Sequence, residues 1–339
     1  MDLRLLWFML IAVLFTGFFV LEGFDYGIGI LLPFLGRNDS ERRMIFNAIG
    51  PFWDGNEVWL ITTGGAIFAA FPTLYAALFS SFYLEMFAIL AALVLRGAAF
   101  EFRSRRESTR WRSFWDWMMF AGSLLPGFFW GVIISNLLRG IPINASMNYA
   151  GGIWNLLNLH ALLYGILFVL IFTMHGAVFL DLRVTGVLGE RARSTAQRLS
   201  FLALIMTVLF LIWSFFVSPA IHHYFVSPQV APLSFLSLAT IIAVPILIAK
   251  RQSGWAFAMA SLTIVLTAAA IGLGLFPRMI LSSLNPAWSL TIDNTSSSPY
   301  TLTVMSWLAL TLLPFVLAFE GWSYWVFHKR LDPRVRGHY

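Results

Sequence analysis

The sequence predicts an all-α integral membrane protein with nine transmembrane helices, N-terminus outside and C-terminus inside. Three observations carry this reading. Of 339 residues, 59% are hydrophobic and only 11% charged, against roughly 25% charged in soluble domains. Apolar runs of about 20 residues, the length that crosses a bilayer, recur along the chain. On an N-out reading, 18 Lys and Arg residues fall in inside segments and 3 outside, as the positive-inside rule requires.

The first span, 7–35, is no cleavable signal. Met1-Asp2-Leu3-Arg4 is barely basic, and the apolar run is too long for a signal peptide. Arg37, Arg42 and Arg43 follow it on the inside. The second span, 55–71, is short and ends at Phe71-Pro72, leaving almost no loop before the third, 75–97. The inside loop with Arg103, Arg105, Arg106, Arg110 and Arg112 leads to span four, 115–138. An outside loop, 139–158, precedes span five, 159–182. Arg183, Arg191, Arg193 and Arg198 form the next inside loop, before span six at 199–217. Span seven, 233–249, and span eight, 254–276, flank Lys250 and Arg251. A Ser/Thr/Asn-rich outside loop, 277–301, leads to span nine, 302–327, and to a tail with Lys329, Arg330, Arg334 and Arg336. Only Arg96 falls within a span. The net charge of +6 therefore belongs to membrane-flanking loops and does not indicate nucleic acid. The chain has no cysteine, which excludes disulfides, Cys-ligated iron–sulfur clusters and thiol catalysis.

Two carboxylate pairs carry the chemistry. Glu22 and Asp25 lie inside span one, in Leu21-Glu22-Gly23-Phe24-Asp25-Tyr26-Gly27. Asp54 and Glu57 sit at the inside mouth of span two, in Trp53-Asp54-Gly55-Asn56-Glu57-Val58-Trp59. Carboxylates at membrane depth are costly unless paired or hydrated, so they mark functional sites, with protons the expected cargo. An i, i+3 spacing puts each pair on one helix face. Two nearby carboxylates do not both ionise cheaply, as a proton relay requires. Glu101, at the end of span three, lies on the same inside face. Capping and dipole compensation account equally well for Asp54 and Glu57, and pairing with Arg96, Arg103 or Arg105 for Glu101. Gly23 and Gly27 beside the first pair permit close helix approach. Glu85, within span three, needs a partner that the sequence does not name. Glu320 in span nine and Asp181 at the end of span five are expected to pair with nearby basic residues or to face a partner.

A haem needs an axial ligand, commonly His or Met. His175, within span five, is the one internal candidate, and a satisfied polar contact is its commoner role. His222 and His223 lie in an outside loop without a third ligand, and no metal site is expected. Most of the 14 Trp and 33 Phe read as lipid-facing surface and interface belts. Trp53 and Trp59 flank the second acidic pair. The small-residue run Thr62-Thr63-Gly64-Gly65-Ala66 permits tight helix packing or a narrow apolar passage.

Several segments together resemble subunit II of the cytochrome bd quinol oxidases. They are Gly23-Phe24-Asp25-Tyr26-Gly27-Ile28-Gly29, the loop from Leu35 to Arg43, and Trp53 to Thr62. Phe68-Ala69-Ala70-Phe71-Pro72, Arg110-Trp111-Arg112, Trp115-Asp116-Trp117 and Phe276-Pro277-Arg278-Met279 add to them, with Ser282-Ser283 and Thr295-Ser296-Ser297. The likeness runs along essentially the whole chain. It implies two four-helix bundles plus one peripheral helix: a single transmembrane domain over 1–339, with bundles at 7–138 and 159–276 and the ninth helix at 302–327. It implies residence in a bacterial or archaeal cytoplasmic membrane. The implied partner is a haem-bearing subunit I, joined in some members by a small single-helix subunit.

The implied reaction is quinol oxidation coupled to reduction of dioxygen to water. Two haems b and one haem d would be held by subunit I, and some members bind a quinone in subunit II. By the resemblance, Asp54 matches a carboxylate of proton uptake, and Glu101 stands where some members have Asp. Asp25 matches the aspartate of the Gly-Phe-Asp motif, and Glu22 stands where others have Asp. Trp59 matches a tryptophan linked to an oxygen route in some members. Glu57 replaces a glutamine, and Glu85 and His175 fall outside the pattern. No catalytic residue is expected in this chain itself. The rival classes are a stand-alone proton-coupled transporter, whose pointer would be matched broken helices in two halves, and a purely structural partner. Gly64-Gly65 and Pro245 interrupt helices without forming a matched pair.

Overall fold

The computed structural model describes residues 2–217 and 227–331. His222, His223, His338, Arg334 and Arg336 lie outside the described residues. The helices are α1 (Leu3–Leu35), α2 (Asp39–Ile49), α3 (Trp53–Ala70), α4 (Pro72–Ser81), α5 (Tyr83–Phe102), α6 (Thr109–Arg139), α7 (Ile153–Leu156) and α8 (Leu159–Arg183). They continue with α9 (Gly186–Val217), α10 (Ala231–Ala249), α11 (Ser253–Leu275), α12 (Ile292–Thr295) and α13 (Pro299–Val326). A short antiparallel pair, β1 (Arg278–Ile280) with β2 (Leu290–Thr291), follows α11.

The chain is an all-α, multi-pass membrane protein. Among the described residues, α1, α5, α6, α8, α9, α10, α11 and α13 are long and apolar enough to cross a membrane. The predicted second span, α3, has 18 residues, but Asp54, Asn56 and Glu57 occupy its first turns.

Two predicted boundaries shift. The third span, expected at 75–97, divides into α4 and α5 on either side of Phe82, whose ring is fully buried. The Phe82 N–H keeps its helical bond to the Leu78 carbonyl at 3.0 Å, and the Ser80 and Ser81 hydroxyls donate to the Ala77 carbonyl at 3.2 and 2.6 Å, side-chain bonds of a kind that bends helices. The predicted inside loop at 183–198 is mostly helical, because α9 begins at Gly186. Ion pairs of Arg191 with Glu41 and of Arg193 with Asp181 (3.0 Å) hold its first turns.

α1 is the central helix, packed against α3, α6, α8 and α11. α5 packs on α6, α9 on α8, and α10 on α11. Lipid provides no hydrophobic drive between helices, so close backbone approach through small residues does that work. Gly27 of α1 and Gly176 of α8 show it: a Cβ on Gly27 would lie 1.9 Å from the Phe172 carbonyl oxygen and 2.9 Å from the Gly176 Cα. The run at Gly64-Gly65 behaves otherwise. Among the described residues nothing lies within 4 Å of where either Cβ would stand, so these two glycines mediate no close approach, while Thr63 and Ile67 beside them are buried on the other face of α3.

The ends are fastened differently. At the end carrying the basic segments, Asp39 pairs with Arg43 (2.9 Å), Arg103 (3.0 Å) and Arg112 (3.0 Å), and buried Asp116 with Arg42 (2.7 Å) and Arg103 (2.6 Å). Asp181 accepts from Ser253 at 2.6 Å and, as expected, pairs with a basic residue. The segment after α13 folds back on the end of α8. Leu331 N–H donates to the Arg183 carbonyl at 2.8 Å, Arg183 to the Lys329 carbonyl at 3.0 Å, and Arg330 to the Asp181 carbonyl at 2.7 Å. At the far end Arg4 pairs with Asp293 at 2.7 Å, and Trp7 Nε1 donates to Ser306 Oγ at 3.1 Å. Between these fastenings α13 is the least buried helix, with Trp307, Leu310, Phe315 and Trp325 each 70–72% exposed.

Candidate functional site

One face of α1 is consumed by its glycine contact with α8. At 100° per residue, Glu22 and Asp25 point the other way, toward α3 and α5. Both are fully buried, and between them lies the equally buried guanidinium of Arg96 from α5. Arg96 Nη1 is ion-paired with Glu22 Oε1. Its Nη2 lies 3.8 Å from Asp25 Oδ2 and 3.6 Å from Glu57 Oε1 of α3. Asn56 Nδ2 donates to Asp25 Oδ2 at 2.8 Å, and the Arg96 guanidinium carbon stands 5.2 Å over the Tyr26 ring. Tyr324 of α13 completes the surround, its hydroxyl donating to Asn56 Oδ1 at 2.9 Å.

Three carboxylates share one guanidinium. Fully ionised, the site would hold two uncompensated negative charges at membrane depth, so its electroneutral form holds protons. Among the described residues, Glu22 Oε2, Asp25 Oδ1 and Arg96 Nε have no hydrogen-bond partner. Buried polar atoms of this kind are ordinarily met by water or by a proton.

The second acidic pair splits. Asp54, in the first turn of α3, is exposed, and its Oδ1 accepts from the Gly55 N–H at 2.8 Å. Glu57, one turn deeper, turns inward to Arg96 with its side chain 20% exposed. The residue that sequence reasoning weighted less is thus the one inside the cluster. Glu101 is exposed and lies 3.7 Å from Arg105, the ion-pair alternative rather than membership of the cluster. Trp53 stacks on Phe100 with ring centroids 4.6 Å apart. Trp59 lies over Gly17 of α1, where a Cβ would meet its ring at 2.3 Å.

Glu85, at the far end of α5, is 2% exposed and has no ion pair among the described residues. Its Oε1 is without a hydrogen-bond partner. His175 is fully buried: Nε2 contacts the Val20 carbonyl at 3.1 Å, and the ring stacks on Phe257 at 4.8 Å. His160 has both nitrogens engaged, by Ser135 Oγ at 2.7 Å and Ser214 Oγ at 3.2 Å. His175 Nδ1, by contrast, has no hydrogen-bond partner among the described residues, and no cluster of three His, Asp or Glu with metal-binding geometry occurs among them. The cluster members that sequence reasoning did not assign are Arg96, Asn56, Tyr26 and Tyr324. The signal for Arg96 was available: a lone arginine within a span needs a carboxylate from another span.

Outside the spans, pairing lowers two acids at the basic end. The hydrogen bond from Arg191 holds Glu41 below the usual carboxylate range. Partial burial works against Asp39, but Arg103, Arg112 and Arg43 outweigh it and hold Asp39 low as well.

The comparisons agree with one another. The family model of cytochrome bd terminal oxidase subunit II matches residues 3–327. Cytochrome bd ubiquinol oxidase subunit 2 of Bacillus subtilis (strain 168) is 44% identical over 331 residues, covering 98% of this chain and 97% of the relative. Cytochrome bd-I ubiquinol oxidase subunit 2 of Escherichia coli (strain K12) is 39% identical over 360 aligned positions, covering 97% and 95%. Among solved structures, a chain of the bd oxidase from Geobacillus thermodenitrificans superposes with a TM-score of 0.77 at 17% identity, covering 96% of this chain and 99% of that one, a likeness of fold alone. With a full-length family match and relatives near 40% identity, the chain belongs to the cytochrome bd terminal oxidase subunit II family.

Proposed function

We propose that this chain is the supporting subunit of a cytochrome bd-type quinol:oxygen oxidoreductase and brings protons from the cytoplasm toward the site of dioxygen reduction. In this reading it crosses a bacterial or archaeal cytoplasmic membrane nine times, N-terminus outside, with α3 as the additional span. It forms two four-helix bundles and a peripheral α13. Subunit I holds two haems b and haem d and carries out quinol oxidation. The engagement of both His160 ring nitrogens within this chain supports placing the haems there.

The observation that carries the reading is the one-to-three ratio of Arg96 to Glu22, Asp25 and Glu57. A structural ion pair needs one carboxylate; a buried cluster with two more has basicity to spare. Asp54, exposed at the start of α3, is the receiving group, and Glu57, Asp25 and Glu22 form the interior store. Reduction of dioxygen to water consumes protons, and the basic end faces the compartment that supplies them.

The test is oxygen consumption by the assembled complex carrying Asp54→Asn, with haem content read from the visible spectrum. The expected result is a turnover loss of about tenfold or more at unchanged haem content. Wild-type turnover with full haem content would sink the proposal.

A further inference from the structure

α13 contributes two side chains to the cluster's approach, although most of its surface is exposed. Glu320 and Tyr324 are four residues apart and share one helix face. Tyr324 stacks on Phe52 with centroids 4.4 Å apart and an interplanar angle of 3°. Its hydroxyl begins a hydrogen-bonded chain through Asn56 to Asp25. One turn before it, the Glu320 carboxylate lies against Gly55: a Cβ at that glycine would be 3.4 Å from Oε2 and 3.8 Å from Oε1. Gly55 is the residue between Asp54 and Asn56, so Glu320 stands at the mouth of the cluster, beside the turn that carries Asp54.

A partly buried glutamate near a helix end ordinarily pairs with a cation, and among the described residues Arg183, Arg330 and His328 at this end are otherwise engaged. Arg183 donates to the Lys329 carbonyl and lies 5.5 Å over the Phe52 ring. Arg330 donates to the carbonyls of Asp181 and Leu182, and His328 Nδ1 contacts the Trp325 carbonyl. Glu320 makes no ion pair among the described residues. The titratable groups facing it are Asp54 from α3, Asp25 from α1 and Tyr324 from its own helix. Among the described residues, Asp54 and Glu320 stand at one mouth and neither makes an ion pair.

We infer that Glu320 is a second proton-loading carboxyl of this entrance, paired with Asp54, and that Tyr324 positions Asn56 so that Asp25 can receive. This rests on the proton-uptake reading of the cluster. It gives the ninth helix a part in the reaction and makes the mouth a joint product of α3 and α13.

The experiment uses the assembled two-subunit complex with Glu320→Gln, Glu320→Asp and Asp25→Asn in parallel. Oxygen consumption is followed from about pH 6 to about pH 9, with haem content measured in each preparation. Glu320→Gln is expected to slow turnover about tenfold at the alkaline end and less at the acid end, where protons are abundant. Glu320→Asp should restore most of the rate, because the carboxyl is kept. If Glu320→Gln matches the wild type in rate and pH profile while Asp25→Asn is slow, the Glu320 assignment fails and the entrance stands. If both match the wild type, the entrance itself fails. Failure of Glu320→Gln to assemble, with Glu320→Asp assembling, also overturns the inference, since it would make the carboxylate a structural fastening.

Discussion

Two polar systems lie within a few helical turns of each other and differ in stoichiometry. In the basic belt the carboxylates are outnumbered: Asp39 meets Arg43, Arg103 and Arg112, and Asp116 meets Arg42 and Arg103. In the membrane cluster the guanidinium is outnumbered, with Arg96 facing Glu22, Asp25 and Glu57. The same residue types therefore do different work. Carboxylates surrounded by guanidiniums fasten α2, the end of α5 and α6 together. In the proposed proton-uptake reading, carboxylates that share one guanidinium exchange protons without losing their anchor, because one of them always remains to pair with Arg96.

The sharpest way to break this comparison is to remove the anchor. Arg96→Met leaves three buried carboxylates unpaired, and breaking a buried pair from one side costs about 3–5 kcal/mol. The expected outcome is severe loss of assembled protein, measured as the yield of complex from membranes. Adding Glu22→Gln and Asp25→Asn should recover assembly but not turnover. Normal yield from Arg96→Met alone would contradict the assignment of Arg96 as anchor.

A smaller effect tests the belt. Asp116→Asn removes the charge that holds Arg42 and the buried Arg103, at a cost of about 1–3 kcal/mol. The thermal midpoint should fall by several degrees while turnover per assembled complex and its pH profile stay at wild type. A shifted pH profile would place Asp116 in the proton path and erase the distinction.

The smallest effect is acid sensitivity of the belt. The folded-state values of Asp39 and Glu41 lie below their ordinary values of 3.8 and 4.5. Their stabilisation is therefore complete above about pH 5 and is lost as pH falls through the folded-state values. Because the pairs are partly exposed, each contributes about 1 kcal/mol or less. The thermal midpoint should drop by a few degrees between about pH 5 and about pH 3, and Glu41→Gln should reduce that drop. An equal drop in Glu41→Gln would assign the acid step to other groups.

Most spans were legible because apolar run length and loop charge are local properties. Glu22 and Asp25 were legible as costly acids for the same reason. Their partner was not, because Arg96 lies 74 residues further on from Glu22 and periodicity does not say which spans are neighbours. The split of Asp54 from Glu57 depends on where α3 begins. With the helix starting at Trp53, Asp54 falls in the first turn facing outward and Glu57 one turn within. The break at Phe82 lay inside a continuous apolar run, where hydropathy has no contrast. Glu320 was expected to pair with a nearby basic residue or to face a partner; among the described residues it makes no ion pair, and Arg330 beyond it folds onto backbone carbonyls of α8, which no sequence pattern announces.

The central position of α1 has a consequence for biogenesis. Synthesis runs from the N-terminus, so α1 reaches the bilayer before α5 has been made. During that interval Glu22 and Asp25 have no arginine to meet. An acidic residue at mid-membrane costs roughly 2.5–3.5 kcal/mol on an insertion scale, while each Leu, Ile, Phe or Val returns about 0.3–0.6 kcal/mol. The apolar residues of the first half of α1 must carry its acids through insertion. The arrival of α5 then resolves that strain, which makes the docking of Arg96 a checkpoint in the order of assembly as well as a feature of the finished protein.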